Sequence, residues 1–83
     1  MNGELLESIR SRSRRGEEQA LRLVGRHVRV IYRSFKCQVI LDNWNSHKWA
    51  YFAKLTHNLP NRSKLKGDWV FIRPNQIIKI ESS

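Results

Sequence analysis

The stretch Trp69-Val70-Phe71-Ile72-Arg73-Pro74-Asn75-Gln76-Ile77-Ile78-Lys79-Ile80 constrains the fold more than any other part of the chain. Two runs rich in β-branched and aromatic residues flank a Pro-Asn-Gln corner. Such side chains suit a pleated surface. Proline offers no donor to a ladder, so the first run stops there. The expectation is a short strand, a tight corner and a closing strand, as where a small barrel shuts on itself.

Period-two alternation recurs upstream. Val28, Val30 and Tyr32 alternate with Arg29, Ile31 and Arg33; Cys37, Val39 and Leu41 alternate with Gln38, Ile40 and Asp42. Ser34-Phe35-Lys36 links these runs without a glycine, as one bent strand or a tight hairpin. Asp42-Asn43-Trp44-Asn45-Ser46-His47 has the composition of a turn. Lys48 to Leu55 returns to alternation, Thr56 to Lys66 is the longest loop, and Lys66-Gly67-Asp68 is a turn before the final stretch. Trp49 and Trp69 are expected in the core, with Trp44 on the surface. Five short strands in the segment 26–83 predict a small barrel.

The first 25 residues differ. They hold no aromatic side chain and four of the seven acids of the chain. Leu5, Ile9, Ala20 and Val24 fall near one stripe of a 3.6-residue period. A helix is expected over about 4 to 14, a weak point near Gly16, and a second helix over about 17 to 24. Glu17 and Glu18 would then sit where the helix dipole favours acids, and Gly25 would end the helix. The chain thus reads as one domain, mainly β, with an N-terminal α-helical arm at 1–25.

The closing segment, Val70-Phe71-Ile72, Pro74-Asn75-Gln76 and Ile77-Ile78-Lys79-Ile80, resembles that of SH3-like barrels. In that fold an apolar strand enters a proline, makes one 3-10 turn and leaves as a short β-branched strand. The resemblance implies a five-stranded SH3-like small barrel. It lacks the tyrosine after the turn that peptide-binding members carry; Ile77 stands there. The basic composition is more similar to nucleic-acid-associated members, such as the C-terminal domains of retroviral integrases.

Charge points the same way. Sixteen Lys and Arg face seven Asp and Glu, a net charge of +9. That excess favours polyanionic partners, nucleic acid first. The sharpest local signal is Arg10-Ser11-Arg12-Ser13-Arg14-Arg15, since guanidinium groups pair bidentately with phosphate. On a continuous helix Arg10 would share a face with Arg14, and Arg12 with Arg15. Arg29, Arg33 and Lys36 form a second group, with Arg29 and Arg33 expected to point the same way from one strand. Lys48 and Lys54 project from a later strand, and Arg62, Lys64 and Lys66 crowd the long loop. Trp44 completes the expected site as a ring for stacking on a base. The function expected is low-specificity binding of DNA or RNA by a small accessory or regulatory protein.

Two other readings remain at this point. One is an interaction subunit docking on an acidic surface of a larger complex, such as a polymerase, the ribosome or an enzyme assembly. The other is a ribonuclease-like toxin using Arg33 with His47 or His57. No nucleophile elbow, paired carboxylate or glycine-rich phosphate loop is present, so an enzyme is not expected. His27, Cys37, His47 and His57 recur every ten residues, a spacing foreign to metal sites, and no metal or other cofactor is expected. The lone Cys37 offers no internal disulfide. The first six residues lack the basic lead and apolar core of a signal peptide, and no apolar run approaches a membrane span. A cytoplasmic protein is expected.

Overall fold

The computed structural model describes the backbone of residues 2–59 and 65–81, with side chains from Leu6 onward. It is mainly β. The elements are α1 (Asn2–Arg10), α2 (Arg14–Arg22), β1 (His27–Tyr32), β2 (Phe35–Asn45), β3 (Ala50–Leu55), β4 (Trp69–Ile72), a 3-10 turn (Pro74–Gln76) and β5 (Ile77–Ile80). The strands form one antiparallel sheet in the order β4-β3-β2-β1-β5.

The sheet is open. β4 and β5 are its two edges, and no ladder among the described residues joins them, so the expected closed barrel is not what the hydrogen bonds form. The chain leaves β4 through Arg73 and the proline of the 3-10 turn, and α1 packs against that turn and β5.

The helical segment breaks earlier than its periodicity predicts. Ser11 and Arg12 close α1 with bonds to the carbonyls of Glu7 and Ile9. Arg12 takes a left-handed φ of 57°. Ser13 then caps α2, its Oγ accepting from Gly16 N at 2.9 Å. The serines interleaved with arginine thus form the break, because a serine oxygen satisfies an amide that a continuing helix would bond internally. Gly16, expected at the weak point, is buried inside α2 where it crosses α1, and a Cβ there would overlap the Ser8 carbonyl oxygen. Gly25 ends the segment at φ 92° and donates to Leu41 O at 2.6 Å.

Helices and sheet share one core. Leu6, Ile9, Ala20 and Leu23 cluster with Val28, Val30, Val39, Leu41, Tyr51, Val70, Ile72 and Ile77. Burying a Leu or Ile side chain contributes about 1.5–3 kcal/mol, so three such residues fix the arm to the sheet. Two long-range hydrogen bonds add direction. Trp49 Nε1 donates to Ile9 O at 2.6 Å, and Tyr51 OH donates to Ala20 O at 2.7 Å.

Two local features set which residues face outward. β1 and β2 meet in a two-residue hairpin at Arg33 and Ser34, with φ of 50° and 69°, and Tyr32 opposite Phe35. Both values match the type I′ turn, whose twist suits a hairpin. The second feature is a bulge: Leu41 pairs with Ala53 and Asn43 with Phe52, leaving Asp42 as the extra residue. An extra residue reverses the alternation beyond it. Leu41 faces inward before the bulge, and Trp44 faces inward after it.

Candidate nucleic-acid interface

The outer face of the sheet follows from register, because residues directly opposite in an antiparallel pair share a face. On β3 and β4 the inward pairs are Tyr51 with Ile72 and Ala53 with Val70. The outward pairs are Phe52 with Phe71 and Lys54 with Trp69. Three aromatic rings therefore meet on the solvent side. Phe52 and Trp69 stack with centroids 4.7 Å apart and planes 3° from parallel, and Phe71 lies 5.3 Å from Phe52. Trp69 and Phe71 are 42% and 43% exposed.

Two amines border these rings. Lys48 Nζ lies 4.2 Å from the Phe71 centroid, and Lys54 Nζ lies 5.5 Å from that of Trp69. The ring quadrupole attracts a cation in this position. A shallow depression of about 420 Å³ adjoins the rings, lined by Asn43, Asn45, Ser46, His47, Phe52, Phe71 and the rim of Trp44. It brings amide, hydroxyl and imidazole groups beside an exposed aromatic surface.

Trp44 does not supply the stacking ring expected of it. It is only 8% exposed, packed edge-on against Trp49 at 5.0 Å and Tyr51 at 4.7 Å. The bulge at Asp42 places it inside. Trp69, expected in the core, lies outside. Trp69 and Phe71 escape sequence reasoning because both parities of Trp69-Val70-Phe71-Ile72 are apolar, so alternation alone does not say which pair is buried; Phe52 joins them only through the pairing of β3 with β4.

The expected basic residues occupy separate places. Arg10 ends α1, Arg12 sits in the turn, and Arg14 and Arg15 open α2, so the face-sharing that one continuous helix would give does not occur. Arg10, Arg12 and Arg73 line a cleft of about 390 Å³ with Trp49, Pro74 and Asn75; Arg73 was not among the expected residues. Arg29 faces outward on β1 opposite Lys79 and pairs with Glu81 at 3.4 Å, the only ion pair among the described residues. Arg33 does not share its face; it lies in the hairpin turn, with its guanidinium 5.3 Å from the Tyr32 ring centroid. Lys36 lines a third depression with Arg29, Cys37, Gln38 and His57. Lys66 is exposed in the turn before β4. Arg62 and Lys64 lie outside the described residues.

Among the described residues, three groups of cations border surface features: Lys48 and Lys54 at the rings, Arg10, Arg12 and Arg73 at the helix junction, and Arg29 and Lys36 on the outer side of β1 and β2. Burial pushes the Cys37 thiol above its ordinary range, which keeps it protonated and a poor nucleophile. Among the described residues no three His, Cys, Asp or Glu side chains gather as metal ligands, and no helix is long and apolar enough to cross a membrane. Comparison of the chain with protein-family models, with curated proteins and with solved structures finds no match.

Proposed function

We propose that this protein binds nucleic acid, single strands above all, through the outer face of β3 and β4. The observation that carries the reading is the Phe52–Trp69 stack with Phe71 beside it, exposed and bordered by Lys48 and Lys54. Every base has a π face, so a ring platform takes single strands with little sequence choice, and each stacked base contributes about 1–3 kcal/mol. Ammonium groups beside the rings stand where phosphates of a stacked strand would pass. The net charge of +9 brings polyanions to the surface from a distance. A duplex buries its base faces and meets only the cations.

The finer fold belongs to the same proposal. The strand order, with β5 returning to β1 after a 3-10 turn at Pro74–Gln76, supports an SH3-like arrangement. A small accessory or regulatory factor working on nucleic acid in the cytoplasm fits such a module. Docking on an acidic protein surface is the competing reading. It draws on Ile31 and Ile78, 44% and 45% exposed on β1 and β5, the strands that also carry Arg29 and Lys79.

The test is a salt titration of binding to a single strand and to a duplex of equal length. Trp69→Ala and Phe71→Ala are expected to weaken single-strand binding by roughly fivefold to a hundredfold each. Duplex binding should change little and fall steeply with salt. Single-strand affinity that is the same for both variants and the parent protein overturns the proposal.

A further inference from the structure

The cleft at the helix junction is built differently from the ring platform. Arg10 reaches it from the last turn of α1, Arg12 from the α1–α2 turn, and Arg73 from the residue ahead of the 3-10 turn. Each is held by the fold. Arg10 Nη2 donates to Ile77 O at 3.4 Å. Arg73 is tied to Gln76 through both of its backbone groups: its N–H donates to Gln76 Oε1 at 2.9 Å, and its carbonyl accepts from Gln76 N at 2.9 Å. Arg12 stands at φ 57°, a conformation glycine adopts without strain and arginine does not.

Three positive charges in one cleft repel one another. Among the described residues none of the three is in an ion pair, and no carboxylate lines the cleft. Local strain and like-charge crowding at one place are the marks of a site shaped for a ligand. Guanidinium forks match the oxygens of phosphate, and several together favour a doubly charged group over a carboxylate. The indole N–H of Trp49 is committed to Ile9 O, so that ring offers the cleft an apolar wall and no donor. Asn75 adds a neutral amide.

We infer that this cleft binds a phosphate monoester dianion. The group comes either from the terminal phosphate of a nucleic-acid strand or from free phosphate and nucleotides. The chemistry is the same, and two arms of one experiment separate the sources. The inference does not require the ring platform, since the cleft shares no lining residue with it.

The experiment follows the indole N–H resonances of the full-length protein by NMR. Inorganic phosphate is titrated against chloride at constant ionic strength. Single strands of one sequence, with 5′-phosphate or 5′-hydroxyl ends, are then compared. A saturable shift of the Trp49 resonance is expected with phosphate, weakening as acidification converts the dianion to the monoanion. If strand ends are the source, the 5′-phosphorylated strand binds roughly fivefold or more tightly than its 5′-hydroxyl counterpart. If free phosphate is the source, the two strands bind alike while the shift with phosphate remains. Arg12→Gly is the decisive variant, because it removes a guanidinium and relieves strain together. It should melt at the same or a higher temperature than the parent and lose the phosphate response. Arg73→Gln should lose that response as well. Absence of any saturable shift with phosphate, or an Arg12→Gly protein that keeps the parent's response, overturns the inference. Failure of the platform proposal would instead appear as ring variants that bind single strands normally, with the phosphate response intact.

Discussion

Tyr51 joins sheet and arm through a single oxygen. Its ring is fully buried, and its hydroxyl donates to Ala20 O, a carbonyl near the end of α2 that also accepts from Leu23 N. Burial pushes the phenol well above its ordinary value of about 10. The native state therefore holds a proton that the unfolded chain releases above pH ~10, and stability falls as pH rises past that point. Below pH ~10 the contribution of the neutral phenol is fully present. Tyr51→Phe removes this buried hydrogen bond, leaving Ala20 O with Leu23 N alone, and is expected to cost about 0.5–1.5 kcal/mol at neutral pH. Its alkaline loss of stability should be shallower than the parent's. Denaturant unfolding at pH 7 and at pH 11 checks both. The alternation that sets Val28, Val30, Val39 and Leu41 apart from their neighbours is legible in the sequence, and all four are buried. Trp44 and Trp69 lie opposite to expectation for two physical reasons, while Trp49 packs against the core as expected. The bulge at Asp42 reverses parity only through pairing with β3, which Asp42-Asn43-Trp44-Asn45 does not announce. The run at Trp69 is apolar on both faces, so its orientation is set by which side the core already occupies.

At the scale of elements, the two helices depend on one glycine. Gly16 and Ala20 lie four residues apart on the buried side of α2, and the absence of side-chain bulk at Gly16 lets the α1 backbone come into contact. The Ser8 carbonyl is backbone and cannot rotate away as a flexible side chain would. Gly16→Ala is therefore expected to destabilise the protein by about 1–3 kcal/mol or more through overpacking, despite alanine's better helix propensity. Thermal melting by far-ultraviolet circular dichroism measures it; a variant as stable as the parent would contradict the crossing geometry. Gly16 looks like a helix breaker in isolation, because a close interhelical approach is a property of two segments and not of one. Similarly, Arg33-Ser34 carries none of the Asn-Gly signature of a type I′ turn. That hairpin is fixed by the Tyr32–Phe35 pairing and the core beneath it. The corner at Pro74 was legible, because proline at the start of the 3-10 turn acts through its own ring.

For the molecule as a whole, charge count did not reveal charge arrangement. A net charge of +9 anticipates a polyanionic partner, yet cations among the described residues fall at separate features of the surface. The break at Ser11–Ser13 sends Arg10 and Arg12 to the 3-10 turn, while Lys48 and Lys54 stand over aromatic rings on the outer sheet face. Only Arg29 among the described residues is paired with an internal carboxylate. The account therefore rests less on total charge than on the exposed rings of β3 and β4. The most direct measurement is an NMR titration of the parent protein with a short single-stranded oligonucleotide, read at the three tryptophan indoles. The account predicts that the Trp69 resonance shifts saturably while that of buried Trp44 stays nearly still. A Trp69 signal unmoved at saturating oligonucleotide would contradict it.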